Sequence, residues 1–189
     1  MKSSFKKILI TGFEPFDGDS TNPSAELLKW LNLNKEELDF SINTLLLPVS
    51  FTNSYTLLDN EIQKLSPSHV ILTGFAKNRS DLTVERIGIN WVDARIPDND
   101  GLVLKSQKIN EATEDGIFST LPADHLVQAA LAISCPAKVS SSAGEYVCNY
   151  LLYSFLINYK NCPGTFIHIP SSTDYETYFR GILAILKYI

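Results

Sequence analysis

The sequence predicts an α/β fold: a single domain over residues 1–189 in which a mostly parallel, twisted sheet carries helices on both faces, three layers in all. Two observations lead to this class. Short β-branched apolar runs alternate along the chain with longer stretches whose apolar residues recur at helical spacing, the pattern of βαβ units. The 189 residues contain no internal repeat, low-complexity tract or shift in composition, as expected of one domain with a sizeable core.

Taken in order, Lys7 to Thr11 reads as a buried strand from its β-branched run, and the loop Gly12-Phe13-Glu14-Pro15-Phe16-Asp17-Gly18 follows it. Asn22 and Pro23 supply an N-cap and a first-turn proline for a helix through Leu31. Ile42 to Leu47 is a second strand. Thr52 to Leu65, with Tyr55, Leu58, Ile62 and Leu65 at helical spacing, is a second helix. His69 to Thr73 is a third strand, ending at Gly74. Between Thr83 and Asn90 the residues Val84, Arg86, Gly88 and Asn90 alternate with Glu85, Ile87 and Ile89, which predicts a strand pairing at a sheet edge.

From Trp91 to Leu121 the pattern dissolves into turns marked by Pro97-Asp98-Asn99-Asp100-Gly101. A long excursion of this kind points to a functional or oligomer-contact loop rather than a linker. Asp124 to Leu131 is helical, Ala137 to Ser140 is a strand, and a helix runs from about Glu145 to Tyr159. Thr165 to Ile169 is the last strand. Thr173 and Glu176 read as a capping box ahead of a final helix carrying Phe179, Ile182, Leu183 and Leu186.

Composition removes several classes of function. A net charge of −5 offers no basic field to nucleic acid or to an anionic membrane. No apolar run approaches the roughly 18 residues of a membrane span. The basic start, Met1 to Lys7, is followed only by Ile8-Leu9-Ile10 before a glycine turn, so it reads as the approach to a first strand and not as a signal peptide. Three cysteines, Cys135, Cys148 and Cys162, are an odd set that argues against a disulfide framework. None stands at zinc-ligand spacing, and His69, His125 and His168 are scattered singly, which argues against a metal. The expected compartment is the cytoplasm, with no metal and no cofactor.

The chemistry-bearing stretch is Val139-Ser-Ser-Ser-Ala-Gly-Glu-Tyr-Val-Cys148-Asn149, a strand end and small-residue turn running into an apolar helix. Twenty residues after Cys148, the strand Phe166-Ile-His168-Ile-Pro170 ends in a histidine. A thiol near a helix N-terminus and an imidazole at a strand end are the parts of a cysteine nucleophile and its base. Active sites of such sheets collect at the carboxyl ends of the strands, so the loops after Thr11, Thr73, Ser140 and Ile169 are expected to be neighbours. The start of the helix stays open: a Ser142–Glu145 capping box would put Cys148 in the second turn, and a start after Gly144 would put it in the first. Glu85, a carboxylate inside an apolar strand, is the candidate to orient the histidine, and Arg86 beside it points to the other face. Taken singly, each residue has a plainer reading: Cys148 as a small core residue, His168 as a satisfied structural imidazole, Glu85 as a salt-bridge member. Cys135 and Cys162, next to prolines, read as structural. Phe13 and Phe16 read as core or as an aromatic pair beside a pocket, and Asn22 as a helix cap.

Together these segments resemble the type I pyroglutamyl peptidases (pyrrolidone-carboxylate peptidases). The resemblance runs through Thr11-Gly-Phe13-Glu-Pro-Phe16, Asn22-Pro-Ser24, Thr83-Val-Glu85-Arg-Ile, Asp93-Ala-Arg95-Ile-Pro-Asp-Asn99 and Phe118-Ser-Thr-Leu-Pro122. It continues through Ser142-Ala-Gly-Glu-Tyr-Val-Cys148-Asn149 and Phe166-Ile-His168-Ile-Pro170, nearly the whole chain in order. It implies Cys148 as nucleophile, His168 as general base, Glu85 as the orienting acid and Arg95 as an oxyanion donor beside the nucleophile's own N–H. It also implies a ring pocket formed by Phe13, Phe16, Ile96, Tyr146 and Val147, with Asn22 nearby and Phe75 in the loop that holds the lactam. The partners implied are a small peptide with a blocked N-terminus and further copies of the chain, as a dimer or tetramer. The departures cluster in one loop, where the family's usual Gly-Gln-Ala-Gly-Gly-Arg is here Gly74-Phe75-Ala76-Lys77-Asn78-Arg79. Elsewhere Tyr146 replaces a usual phenylalanine and Asp17 a usual glycine. Two alternatives follow from that loop: a related thiol amidase of altered specificity, or an inactive relative retained as a binding protein.

Overall fold

The structure, a computed structural model, describes residues 6–189; the basic start at residues 1–5 lies outside the described residues. Eight strands and five helices follow one another as β1 (Lys7–Phe13), α1 (Pro23–Leu33), β2 (Ser41–Leu47), α2 (Asn53–Leu65), β3 (His69–Ala76), β4 (Leu82–Glu85), β5 (Ile87–Ile89), β6 (Gly116–Phe118), α3 (Ala123–Leu131), β7 (Ala137–Ser140), α4 (Val147–Asn158), β8 (Gly164–Pro170) and α5 (Tyr175–Tyr188). Six strands form the main sheet in the order β2-β1-β3-β8-β4-β7. The first four run parallel, β4 runs antiparallel to β8, and β7 runs parallel to β4. The sheet is therefore mixed: its predominant direction reverses at the β8–β4 seam.

Alternation along the strands sorts the core into two layers, because successive side chains leave opposite faces. Ile8, Ile10, Ile71, Val84, Ile167 and Ile169 pack under α1, α3 and α5. Leu9, Val70, Leu72 and Phe166 pack under α2 and α4. With both faces covered, β1, β3 and β8 are largely apolar and buried along most of their length, whereas the edge strand β2 is polar in its first half and mostly half-exposed.

Two expectations fail here. The stretch from Thr83 to Asn90 is not one edge strand. β4 is buried at all four positions and lies between β8 and β7, whereas β5 leaves the sheet to form an antiparallel ribbon with β6. The break falls at Arg86, whose N–H donates to Ser140 O (2.7 Å), whose carbonyl accepts from Ser119 N–H (2.8 Å), and whose side chain pairs with Asp124 (2.9 Å). Alternation in sequence continues through such a break and does not reveal it. The capping box is also out of register by one: Asp174 is the N-cap of α5, accepting from the backbone N–H (3.3 Å) and hydroxyl (2.6 Å) of Thr177. The helix cap at Asn22 stands as expected, its side chain accepting from Ser24 N–H at 3.0 Å.

The excursion from 91 to 121 is pinned over the start of α4. Buried Asn149 accepts from Ile89 N–H (3.0 Å) and donates to the carbonyls of Ile89 (2.9 Å) and Trp91 (3.0 Å). Buried Asp98 closes its sharpest turn by accepting from the N–H groups of Phe51, Asp100 and Leu102 at 2.8–3.0 Å. Held at both points, the excursion becomes one wall of the cleft described next.

Candidate active site

His168 and Glu85 face each other across the seam where the sheet reverses. Thr83 is the register partner of His168, and Glu85 that of Phe166, so Glu85 and His168 are diagonal neighbours on one face. His168 Nδ1 lies 2.8 Å from Glu85 Oε1, with the residues 4% and 0% exposed. The carboxylate can only accept, so this contact places the proton on Nδ1 and leaves Nε2 as the ring's acceptor. The strand is locked beneath them: the Glu85 carbonyl accepts from the hydroxyls of Ser119 (2.7 Å) and Thr165 (3.0 Å). Burial holds the His168 ring below its ordinary value, with Glu85 opposing and Arg79 adding to the drop.

Cys148 reaches this pair from α4, in the layer that covers the sheet face carrying Phe166 and His168. β7 points away from the carboxyl ends of the four parallel strands, so the loop after Ser140 is not a neighbour of the others for the reason expected. It returns through a turn in which Gly144 adopts φ +87°, a left-handed conformation that favours glycine. α4 then starts at Val147 with Tyr146 as N-cap, which puts Cys148 in the first turn and excludes the Ser142–Glu145 capping box. No side chain caps this helix; its first rung is Tyr150 N–H to Tyr146 O (3.0 Å), and the amides of Val147 to Asn149 precede it. The sulfur packs against Gly74, the register partner of His168 on β3. A Cβ at Gly74 would lie 3.1 Å from Cys148 Sγ and 2.8 Å from the Phe166 ring, so any side chain here would press on both. Burial pushes the Cys148 thiol up to about 12, helped by the Glu85 carboxylate and opposed by Arg79 and the residue's own N–H. The resting pair is thus a thiol and a neutral imidazole.

Two spaces meet at the sulfur. One is a narrow apolar slot lined by Phe13, Phe16, Asn22, Val49, Phe75, Tyr146, Val147 and Cys148. The other is an open cleft of about 1400 Å³ that holds Cys148 and His168 together with Arg79, Asp93, Arg95, Ile96 and Glu145. Ile96 and Arg95 line the outer cleft, together with Phe16, Phe75 and Tyr146, which line both spaces. In the slot Asn22 accepts from Ser24 and donates one Nδ2–H to Glu14 O (2.9 Å). Among the described residues no group of three or more His, Cys, Asp or Glu side chains is gathered so as to hold a metal ion.

The family model for pyroglutamyl peptidases matches residues 6–175. The chain belongs to the pyroglutamyl peptidase family. It is 44% identical over 171 residues to a pyrrolidone-carboxylate peptidase of Thermosipho africanus, covering 87% of this chain and 81% of that one. It is 45% identical over 172 residues to one of Enterobacter sp. strain 638, covering 87% and 78%. Among solved structures, pyroglutamyl peptidase I of Bacillus amyloliquefaciens superposes with a TM-score of 0.91 at 32% identity, over 96% of this chain and 95% of that one. The pyrrolidone carboxyl peptidase of Thermococcus litoralis gives 0.89 at 33%, over 97% and 92%.

Set beside that family, the departures have local explanations. Lys77 and Asn78, which stand where the family has glycines, are absent from the residues with positive φ, so neither carries left-handed strain. Phe75 continues β3 beside Ile169 and turns its ring into the slot. Lys77 reaches Asp19 (2.6 Å), tying the loop after β3 to the loop after β1. Asp17 takes φ 55°, a region that Asp enters more readily than most side chains. The hydroxyl that distinguishes Tyr146 from phenylalanine donates to Pro97 O (2.9 Å), across the cleft.

Sequence reading missed two residues. Val49 forms part of the slot wall, and nothing in its local pattern sets it apart from a core valine. Arg79 donates to Glu85 Oε1 (2.5 Å), to Thr83 Oγ1 and to Ser142 O (2.9 Å). Its signal was the demand that a carboxylate in an apolar strand find a cation, with Arg86 turned away.

Proposed function

We propose that this chain is a single-domain cysteine exopeptidase that removes an N-terminal pyroglutamyl residue from peptides through an acyl-thiol intermediate. The carrying observation is the junction itself: a narrow apolar slot is lined in part by Cys148, and the cleft beside it holds Cys148 together with His168, which is paired to buried Glu85. The uncharged lactam ring suits a slot without a free charge, where Phe13, Phe16, Phe75, Tyr146 and Val147 grip its faces. Asn22, with one Nδ2–H uncommitted, is the polar group near the ring. Ile96 meets the portion of the substrate that lies in the cleft.

In this reading His168 Nε2 takes the thiol proton as the sulfur attacks the pyroglutamyl carbonyl carbon, and Glu85 holds the ring in the tautomer that permits it. Negative charge develops on the carbonyl oxygen, where the Cys148 N–H at the uncapped helix start and the Arg95 guanidinium stabilise it. Collapse breaks the amide bond, and the departing amine takes the proton from His168. Water, giving its proton to the same nitrogen, then attacks the thioester and releases pyroglutamate.

The test is turnover of a pyroglutamyl-coumarin amide beside acetylalanyl- and prolyl-coumarin. Turnover confined to the pyroglutamyl substrate supports the proposal. Preference for another acyl group favours an amidase of altered specificity, and no turnover with slow, unselective thiol labelling favours an inactive relative. The negative charge and an apolar set exposed on the excursion and ribbon (Trp91, Leu102, Val103, Phe118) support a cytoplasmic homo-oligomer, a dimer or tetramer, that binds neither nucleic acid nor membrane. Light scattering reads that state directly. No helix among the described residues is long and apolar enough to cross a membrane.

A further inference from the structure

We propose that Arg79 is a positioning residue for this reaction: its guanidinium clamps the Glu85–His168 pair to the turn that delivers Cys148. The inference rests on the reading of the site given above. Two segments distant in sequence meet on this one side chain, which the loop between β3 and β4 carries: β4 itself through Thr83 and Glu85, and the turn before α4 through Ser142.

Glu85 shows why the clamp matters. Its side chain is wholly buried, and both of its donors, His168 Nδ1 and Arg79 Nη1, lie on Oε1. Oε2 is buried without a hydrogen-bond partner. A buried carboxylate loaded on one oxygen has a competing orientation, rotated so that the other oxygen faces the ring, and a second donor fixed on Oε1 removes that choice. Thr83 lies directly across from His168, so the same guanidinium holds the strand opposite the ring at two points on one face. Its other nitrogen reaches the Ser142 carbonyl, four residues before the helix begins its first turn at the N-cap. The planar fork is what spans these acceptors; an ammonium could supply the charge but not the geometry.

The charge has its own effect. The Arg79 guanidinium lowers the proton affinity of both His168 and Cys148, favouring a neutral ring and an accessible thiolate at the same time. Removing it raises both.

The experiment compares the full-length wild type with Arg79→Met and Arg79→Lys. It reads kcat/KM for the pyroglutamyl-coumarin amide against pH, and iodoacetamide alkylation of the Cys148 peptide against pH by mass spectrometry. Arg79→Met is expected to lose roughly a hundredfold in kcat with KM little changed. Its acid limb should move to higher pH by about one unit, and its Cys148 alkylation should be about tenfold slower at a given pH. Arg79→Lys should return the limb and the alkylation rate toward wild type while kcat stays low. A folded Arg79→Met, by near-UV circular dichroism, with an unmoved limb and unchanged alkylation overturns the proposal. If Arg79→Met does not fold, Arg79→Lys decides, and wild-type kcat in that variant overturns the clamp. Should the wild type hydrolyse no pyroglutamyl substrate, the functional reading falls, while the alkylation profiles still decide for or against Arg79.

Discussion

The slot and the outer cleft share Cys148, Phe16, Phe75 and Tyr146, but only the cleft adds charged side chains. The slot is made of aromatic and aliphatic side chains and Cys148, with Asn22 as its one amide, and that amide is mostly committed to the cap of α1 and to Glu14 O. The cleft is open and ringed by Asp93, Arg95, Glu145, Arg79 and His168. Shape and desolvation decide what enters the first; charge decides what happens in the second. In the proposed reading recognition and chemistry divide between the two, with Cys148, Phe16, Phe75 and Tyr146 lining both.

That separation can be broken experimentally, beginning where the effect is largest. Cys148→Ala should abolish turnover, because no second thiol lines either space; residual activity above background would place the chemistry elsewhere. His168→Ala and Glu85→Gln should each lower kcat by ~10²–10⁴-fold with KM little altered. A change mainly in KM would move these residues from the chemical side of the division to the binding side. Gly74→Ala forces a methyl against the sulfur and Phe166, and should lower kcat about tenfold or more without changing ring affinity. Phe75→Ala opens the slot; it should raise KM for the pyroglutamyl substrate and reduce discrimination against larger acyl groups, leaving the pH profile in place. At the small end, Tyr146→Phe removes only the hydrogen bond to Pro97, and should cost about 1 kcal/mol of stability by denaturant titration.

The pH profile sharpens the same division. In the proposed mechanism His168 must be neutral to accept the thiol proton, so kcat/KM should fall as pH drops through its pKa. Burial holds that pKa below the ordinary 6.5, so activity should persist below pH 6.5 before it falls. Cys148, pushed up to about 12, should show alkylation that still climbs through pH 9, and a plateau near neutrality would contradict a resting thiol.

The parallel half of the fold was legible because β1, β3 and β8 are buried on both faces and bounded by turn residues, so each reads as a short apolar run. The antiparallel half was not. The turn out of the sheet at Arg86 is made by backbone contacts to Ser140 and Ser119, which leave no mark on local periodicity. The site divides in the same way. Cys148, His168 and Glu85 stand out because each is chemically anomalous in an apolar element. The helix start next to Cys148 was ambiguous, since Ser142, Gly144 and Glu145 fit two caps equally well, and only the φ of Gly144 separates them. Val49 and Arg79 act through contacts made in space, and for Arg79 the sequence held only the indirect hint of an unpaired carboxylate.

Covalent capture tests the central claim most directly. Wild-type protein mixed with a pyroglutamyl amide substrate, quenched in acid within the first turnover and digested, should yield the Cys148 peptide heavier by one pyroglutamyl group. The same adduct should be missing from the Cys148→Ala variant. Rapid turnover with Cys148 recovered unmodified at every quench time, and with no loss of rate in Cys148→Ala, would contradict the account.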